Sequence, residues 1–347
     1  MRVAITGGSG SLGTALLARL TASGVDRLVT FSRDEHKRQA VQAAYDWHPG
    51  VRVFAGDVRD PERLPDIFAG CEVVIHAAAR KVVCGHFDEP REHHLTNVVG
   101  TQNVLTAARR AGVSKVLFIS SDKAVHPQNA YGKSKALAED LVIAENARSF
   151  ATGTRCSVIR YGNVLGSNGS VVRVWRERAA RGETLSLSDA RMTRFWWTVE
   201  DAAAAAIEAV RVMRGGELLL PRLRAAPVTS LLEAVAPASE FVETGIRPGG
   251  EKLHEALVSE DEARRAVQRN DWIIVPPVDT AELWDRSAWL GDPVGDGFEY
   301  RSDTWPNQWT VEGLREILDG DVAQQGEHAA CIRETGVRGP ASPLAVG

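Results

Sequence analysis

Short apolar runs alternate with helical patterns along the first half of the chain. The runs have the length of strands, and the segments between them, such as residues 12–21 and 101–111, have the apolar spacing of helices. The runs are residues 3–5, 28–31, 51–54, 73–75, 116–119 and 158–159. Because strands that alternate with helices usually pair in parallel, this pattern predicts an α/β fold built on a Rossmann-type doubly wound parallel sheet.

The alternation breaks after Gly166, and the composition of the chain changes with it. Segments rich in Arg, Trp and Pro begin there. Further on, an alanine-rich run at residues 201–210 has the pattern of a helix that returns to the first domain. We therefore predict a first domain at residues 1–165, to which about residues 198–225 return.

The remaining segments are predicted to form a smaller lobe and a tail. Residues 166–197 and 226–320 would build a substrate-binding lobe around a ligand. Residues 321–347 have no periodicity and are rich in Gly, Ala, Pro and Ser, which is typical of a disordered tail.

Length, charge and cysteine content argue against several classes of protein. A chain of 347 residues can bury a sizeable core in one large domain or two interleaved lobes. The net charge of −4 offers no basic surface, so we expect neither nucleic acid nor a membrane as a partner. The four cysteines have no paired spacing, so we expect no disulfide framework and no metal site. Because no apolar run could span a bilayer and the first strand begins at Arg2, we expect a cytoplasmic protein without a signal peptide.

A glycine-rich loop follows the first apolar run and opens the first helical segment. Its glycines have the spacing G-x-x-G-x-x-G, which lets the backbone approach a pyrophosphate while the helix N-terminus supplies amide donors. The residues predicted to contact a dinucleotide here are Thr6, Gly7, Ser9, Gly10, Ser11, Leu12 and Gly13. The alternative is a tight turn without a ligand. The first domain is accordingly predicted to bind a dinucleotide.

The end of the second run bears on the choice between NAD and NADP. An NAD site normally has a carboxylate there, whereas this chain has Ser32 and Arg33, with Lys37 close behind. Since a guanidinium suits a 2′-phosphate, the sequence favours NADP, while Asp34 and Glu35 leave NAD open. Further predicted cofactor contacts follow later runs: Asp57, Val58, Ala77, Ala78, Ala79, Lys81 and Tyr161.

Most of the candidate chemistry lies in residues 120–135. Tyr131 and Lys135 are four residues apart on a predicted helix and share a face, so an ammonium beside the phenol would make Tyr131 a base near neutral pH. Asp122 and Lys123 follow the fifth run. An acid and an amine beside such a base indicate a second proton transfer, such as the removal of water. The alternatives are a turn role for Asp122 and a phosphate contact for Lys123.

A series of segments resembles one branch of the extended short-chain dehydrogenase/reductase superfamily. In chain order they are TGGSGSLG, SRDE, GDVRD, HAAARK, TNVVGTQNV, SSDKAVHPQNAYGKSK, RYGNVLGSNGSVV, MTRFWWT and GGEKLHEALVSEDEARR. Together they look like the inverting UDP-N-acetylglucosamine 4,6-dehydratases of pseudaminic-acid and capsule-sugar pathways. The resemblance runs from residue 2 to about residue 318, and MTRFW and GEKLHE are not general features of the superfamily.

The resemblance implies an NADP-dependent cycle on a UDP-sugar, foremost UDP-N-acetylglucosamine. Tyr131, with Lys135, would take the 4-hydroxyl proton while C4 is oxidised. Lys123 would then remove the C5 hydrogen, and Asp122 would protonate the departing 6-hydroxyl. Hydride return to C6 and reprotonation from the other face would give a 4-keto-6-deoxy sugar inverted at C5. Retaining relatives usually have Glu at the position of Lys123, and this branch usually has Thr where Ser121 keeps the hydroxyl of the catalytic set.

Five residues are predicted to contact the substrate. Asn163 leaves the sixth run at the ligand crevice, and Arg194 offers a guanidinium for the diphosphate. Arg247 and Glu251 are assigned to the uridine end, where one extra glycine departs from the branch's usual pattern. Lys81, at the end of the fourth run, would contact cofactor or sugar unless it is a surface lysine.

Other expectations concern neighbouring residues and the state of the protein. Asn97 is predicted to brace the active-site strands, whereas His93 and His94 are predicted to be exposed helix residues and not metal ligands. A homo-oligomer is expected. Two other functions stay open: a UDP-sugar 4-epimerase that uses the same Tyr131, and a non-catalytic NADP-binding regulatory protein.

Overall fold

The computed structural model describes residues 1–81, 90–167, 170–247, 249–278, 291–295 and 297–320. Its strands are β1 (Arg2–Thr6), β2 (Arg27–Ser32), β3 (Val51–Ala55), β4 (Val73–His76), β5 (Lys115–Ile119), β6 (Arg155–Ile159), β7 (Asn163–Val164), β8 (Leu185–Leu187), β9 (Thr193–Trp197), β10 (Leu218–Pro221), β11 (Arg224–Pro227), β12 (Phe241–Glu243), β13 (Val267–Arg269), β14 (Trp272–Val275) and β15 (Asp292–Pro293). Its α-helices are α1 (Ser11–Ala22), α2 (Glu35–Tyr45), α3 (Leu64–Phe68), α4 (Pro90–His93), α5 (Gly100–Arg110), α6 (Ala130–Arg148), α7 (Val171–Ala179), α8 (Val199–Val212), α9 (Val228–Val235) and α10 (Glu260–Ala263). A π-helical turn (His94–Val99) joins α4 to α5, and 3₁₀ turns lie at Asp122–Ala124 and Phe150–Thr152.

The main sheet is doubly wound, as the alternation of apolar runs predicts. Its parallel part has the order β3-β2-β1-β4-β5-β6-β10. Each of the six predicted runs lies inside one of the first six strands. Val3, Ala4 and Ile5 of β1 are all buried, because helices cover both faces of a parallel sheet. The predicted α/β class is confirmed.

The described residues divide into lobes less cleanly than the sequence predicts. Strand β10 joins the main sheet, and α8 packs on α1. The sheet then continues antiparallel through β14, β13 and β15, within the range predicted for the smaller lobe. The reason is edge protection, because β14 buries apolar side chains while it pairs with the otherwise open edge of β10.

The smaller lobe has its own core and its own sheets. Strand β9 lies between β7 and β11, and β8 pairs with β12. Trp175, Leu231 and Leu314 are fully or almost fully buried in this core. The predicted tail at residues 321–347 lies outside the described residues. No helix in the described part of the chain is long and apolar enough to span a bilayer.

Two local features bring the start of α6 against the turn that follows β5. Asn129 caps α6 by accepting a hydrogen bond from the amide of Gly132, at 2.9 Å. A Cβ on Gly132 would lie 2.3 Å from the carbonyl oxygen of Lys123, so only glycine permits this approach. The carboxyl end of β5 and the first turn of α6 therefore form one compact unit.

Candidate active site

The glycine loop after β1 has the shape of a dinucleotide cradle. Gly7 has φ of +74°, and a Cβ there would lie 2.9 Å from the backbone of Ala78. A Cβ on Gly13 would lie 2.3 Å from the Gly7 carbonyl oxygen. The hydroxyl of Thr6 accepts a hydrogen bond from the Ala78 amide at 3.0 Å. The loop is thus held against the end of β4, and α1 begins at Ser11 with no acidic residue in its first turn, as phosphate binding requires.

The residues predicted to select NADP lie together at the carboxyl end of β2. The hydroxyl of Ser9 donates to that of Ser32 at 3.1 Å. Arg33 is half-exposed, with its guanidinium 3.9 Å from the carboxylate of Asp57. The Lys37 side chain is exposed at the start of α2. The Lys37 Nζ lies 3.8 Å from the carboxylate of Asp34, so each of the two cationic side chains near this end of β2 has a carboxylate neighbour.

Asp57 and Val58, two further predicted cofactor contacts, form hydrogen bonds with other residues of the protein. The guanidinium of Arg59 donates two hydrogen bonds to the carboxylate of Asp57, at 2.9 and 2.7 Å. Burial alone would raise the pKa of Asp57, but these hydrogen bonds hold it below its ordinary value. Val58 is buried, and its carbonyl accepts a hydrogen bond from Asn103 at 3.0 Å. A contact from either residue to adenine stays a prediction.

Asn97 braces the loop after β4, as its position predicts. Its side-chain amide accepts from the Arg80 amide at 2.7 Å, and it donates to the Arg80 carbonyl at 2.9 Å and to the Ser134 hydroxyl at 2.8 Å. The bridge fixes the segment that contains Ala77, Ala78 and Ala79 against α6. Lys81 is exposed at the end of this segment.

His93 corrects one expectation, because it is fully buried and not exposed. Helix α4 packs against α6, and the imidazole centroid of His93 lies 6.1 Å from the ring centroid of Tyr131. His94 is exposed. Among the described residues, no cluster of His, Cys, Asp or Glu could hold a metal ion.

Tyr131 and Lys135 lie on one face of α6, but their electrostatics differ from the expectation. Burial raises the pKa of Tyr131 to about 12, while a hydrogen bond with Ser121 acts in the opposite direction. Burial also lowers the pKa of Lys135 to about 7. The Lys135 Nζ donates to the Ile119 carbonyl at 2.6 Å and lies 3.9 Å from the centroid of the Phe118 ring. The expected lowering of the Tyr131 pKa was therefore wrong for the protein alone, because desolvation dominates.

The buried Lys135 should make stability depend on pH. Its pKa falls from 10.5 to about 7 on folding, so between those values the unfolded chain binds more protons than the folded protein. Stability should therefore rise with pH in this window, by up to about 1.4 kcal/mol per pH unit. Denaturant unfolding of the wild type and Lys135→Met at several pH values between about 7 and 10 should show a steeper rise of stability with pH in the wild type than in the variant. Parallel profiles for the two proteins would contradict it.

Asp122 and Lys123 are in direct contact on the turn after β5. The Lys123 Nζ lies 2.9 Å from Asp122 Oδ1 and donates to Asn163 Oδ1 at 2.6 Å. Asp122 is fully buried, accepts from the Ser121 hydroxyl at 2.9 Å, and has no hydrogen-bond partner for Oδ2 among the described residues. Burial raises the pKa of this carboxyl group. The turn therefore presents a buried carboxyl group with a raised pKa in contact with an amine.

Sequence reasoning missed Lys252 and Glu255, which belong to the same cluster. Glu255 is buried, with Oε1 3.4 Å from the Lys123 Nζ and Oε2 2.6 Å from the Lys252 Nζ. Burial alone would raise the pKa of Glu255, but Lys123, Lys252 and Arg194 hold it below its ordinary value. The segment GEKLHE at residues 250–255 could have pointed to both residues, but only its first glutamate, Glu251, was predicted as a site residue.

Among the remaining predicted substrate residues, Arg194 is buried, whereas Arg247 is largely exposed. Arg194 is buried, and its guanidinium donates to the carbonyls of Thr193 and Leu253 at 2.7 and 2.9 Å. These contacts do not support a diphosphate role, because they direct the guanidinium into the protein. Arg247 and Glu251 form an ion pair with each other, and most of the Arg247 side chain is exposed.

Tyr161 follows β6 and packs in the main hydrophobic core. Its ring is buried, with its centroid 4.9 Å from that of Trp197. Its carbonyl accepts a hydrogen bond from the Asp122 amide at 2.9 Å. The Tyr161 backbone therefore supports the turn that carries Asp122 and Lys123, which we call the catalytic turn. A contact between Tyr161 and the cofactor stays a prediction.

The glycine cradle, the sheet order and the Tyr-x-x-x-Lys pair together define the class of protein. The chain has the fold of the extended short-chain dehydrogenase/reductases. More narrowly, it belongs to the family described as polysaccharide biosynthesis protein, whose model matches residues 3–277.

Similar proteins with curated functions include two kinds of sugar-nucleotide enzyme. The chain is 38% identical over 327 residues to a UDP-N-acetylglucosamine 4,6-dehydratase (inverting) from Campylobacter jejuni subsp. jejuni serotype O:23/36 (strain 81-176), covering 91% of this chain and 96% of that protein. It is 36% identical over 280 residues to a UDP-glucose 4-epimerase from Rickettsia rickettsii (strain Sheila Smith), covering 78% and 82%. The family resemblance seen in the sequence is confirmed.

A solved structure resembles this protein over nearly the whole length of both chains. The X-ray structure of Pen from Bacillus thuringiensis matches with a TM-score of 0.82 and 30% identity, over 92% of this chain and 98% of that one. At 20% identity, DesIV, a dTDP-glucose 4,6-dehydratase from Streptomyces venezuelae crystallised with NAD and TYD, matches with a TM-score of 0.69, which shows the fold alone.

Proposed function

We propose that this protein is an NADP-dependent UDP-sugar 4,6-dehydratase that acts on UDP-N-acetylglucosamine and inverts C5. The observation that carries the proposal is the contact between Asp122 and Lys123, at 2.9 Å, on a turn packed against the helix of Tyr131. An oxidation alone needs only the tyrosine and its lysine. A buried acid in contact with an amine supplies the proton transfers that eliminate water. The similarity to the Campylobacter enzyme supports the same reaction.

Each side chain has a proton to hold or move. A nicotinamide dinucleotide held by the glycine loop would supply the redox chemistry, as the acceptor of hydride from sugar C4 and its donor to C6, while C5 regains a proton. Tyr131 accepts the proton of the 4-hydroxyl, so that a C4 ketone forms and acidifies the C5 hydrogen. Lys123 removes that hydrogen as a proton. Asp122, whose pKa is raised by burial, gives its proton to the 6-hydroxyl, which departs as water.

The assignment of NADP rests on Arg33 at the end of β2. The Arg33 guanidinium is half-exposed and lies 3.9 Å from the carboxylate of Asp57. Ser32 and Arg33 stand at the end of this strand, where an NAD site normally has a carboxylate. A guanidinium in this place pairs with the 2′-phosphate that only NADP carries.

Arg33→Ala should weaken NADP far more than NAD. A charged hydrogen bond contributes about 1.5–3 kcal/mol, so the NADP affinity should fall roughly ten- to a hundred-fold. Titration of both dinucleotides into the wild type and the variant measures this. Arg38→Ala is the matched control, because Arg38 lies on α2 in an ion pair with Glu35 at 2.6 Å. Equal losses for both cofactors in Arg33→Ala would remove the case for a phosphate site.

A UDP-sugar 4-epimerase is the second candidate, because the Rickettsia relatives bear that name. Such an enzyme needs a base at the 4-hydroxyl but no acid to expel water. Asp122 and Lys123 then have no proton to transfer, which is why the dehydratase accounts better for the buried pair.

One incubation separates these possibilities. The purified protein, supplied with NADP and UDP-N-acetylglucosamine in D₂O, should form a 4-keto-6-deoxy product with deuterium at C5, followed by NMR. The configuration at C5 then tests inversion. Formation of the C4 epimer without loss of oxygen would establish the epimerase, and unchanged substrate together with tight NADP binding would favour a non-catalytic regulatory protein. NAD in place of NADP is the matched cofactor control.

A further inference from the structure

Glu255 is a counter-ion shared by three cationic groups of the described residues. Its carboxylate lies 3.4 Å from the Lys123 Nζ, 2.6 Å from the Lys252 Nζ and 4.0 Å from the Arg194 Nε. All four side chains are largely or fully buried, so solvent screens their charges weakly. Without the Glu255 charge, three cationic side chains would face one another, with the buried Asp122 carboxyl group beside Lys123.

Glu255 also lies on a segment of the smaller lobe that is docked onto the catalytic turn. The Gly250 carbonyl accepts from the Asn129 side chain, the N-cap of α6, at 3.2 Å. The Lys252 Nζ donates to the carbonyls of Asp122 and Val125, at 3.0 and 2.7 Å. At Leu253, the same segment accepts a backbone hydrogen bond from β9. Residues 249–255 therefore tie the lobe to the turn that carries the acid and the base.

We propose that Glu255 is a positioning residue of the acid–base centre, which fixes Lys123 at the sugar C5 only while the 249–255 segment is docked. This inference rests on the proposed dehydratase function. Glu255 itself transfers no proton in this scheme.

The partial reactions distinguish this role from general support of the fold. Glu255→Gln should slow deuterium entry at C5 on the order of 100-fold, the cost of displacing a catalytic group by about 1 Å. Oxidation at C4, followed as absorbance of the reduced cofactor in a single turnover, should stay near the wild-type rate, because it depends on Tyr131. Glu255→Asp keeps the charge one methylene further back and should restore part of the C5 exchange.

Glu262→Gln is the matched control. Glu262 is a largely buried carboxylate that follows on the same lobe, and it pairs with Arg160 at 3.0 Å instead of with Lys123. It should lose stability and keep the wild-type ratio of C5 exchange to C4 oxidation. If Glu255→Gln keeps that ratio too, the residue is structural and the proposal is overturned.

A measurement without substrate or cofactor separates this inference from the proposed function. Lys123 in Glu255→Gln should react several-fold faster with an amine-acylating reagent, as peptide mass spectrometry would show, because it has lost one of its two carboxylate partners. Unchanged labelling would overturn the positioning role, whatever the reaction of the enzyme is. Failure of the wild type to convert any UDP-sugar would instead refute the dehydratase and leave the labelling result standing.

Discussion

Tyr131→Phe should abolish product formation and leave the fold and substrate affinity nearly intact. Phenylalanine keeps the ring and deletes only the hydroxyl that takes the 4-hydroxyl proton. Loss of a general base typically costs about 10²–10⁴-fold, and here no later step can begin until C4 is oxidised. A single-turnover experiment should therefore show no transient absorbance of the reduced cofactor.

Tyr300→Phe provides the control for Tyr131→Phe. The Tyr300 hydroxyl is buried away from the catalytic turn, where it donates to the Pro221 carbonyl and accepts from the Leu223 amide, both at 2.6 Å. Removing it should cost about 1–3 kcal/mol of stability, because buried partners are left unsatisfied, and should preserve turnover. Build-up of reduced cofactor in Tyr131→Phe would assign the tyrosine to a later step and give the oxidation to another group.

Lys123→Ala should stop the cycle after oxidation at C4. The variant should keep its fold and its dinucleotide affinity, because Lys123 contacts neither the glycine loop nor the end of β2. Deuterium from D₂O should no longer enter C5, and reduced cofactor should accumulate in a single turnover. The combination of retained oxidation with blocked exchange is the signature of a base that acts second.

Two further variants sharpen the Lys123 experiment. Lys123→Arg keeps a cation beside Asp122 and Glu255 but cannot give up its proton, so it should fail in C5 exchange as Lys123→Ala does. Lys133→Ala removes an exposed lysine from the first turn of α6 and should behave as the wild type. Exchange at the wild-type rate in Lys123→Ala would show that another group removes the C5 hydrogen.

Several parts of the site were predictable because they are local in sequence. Tyr131 and Lys135 share a helix face through their spacing, and Asp122 and Lys123 occupy one turn after a strand. The glycine spacing at residues 7–13 likewise belongs to one strand–turn–helix unit. In each case, a few consecutive dihedral angles bring the groups together, so sequence spacing alone determines their arrangement.

Other features depend on which distant surfaces meet. Arg194 has a guanidinium suited to phosphate, but the packing of β9 against the 249–255 segment directs it to backbone carbonyls. His93 lies on a short helix whose exposure could not be inferred until α4 was seen to pack on α6. The position of Tyr131 beside Lys135 suggested a lowered pKa, whereas desolvation by the surrounding protein raises the pKa of Tyr131.

The sequence by itself determined the doubly wound sheet and the glycine loop, and it selected Asp122, Lys123 and Tyr131 as the candidate acid, amine and base. Only the tertiary structure decided that Glu255 of the smaller lobe pairs with Lys123 of the first domain, and that burial raises the pKa of Asp122. The physical reason is that strand order and helix faces follow from short-range periodicity. Desolvation and ion pairing between lobes instead depend on the distances between segments that are far apart along the chain.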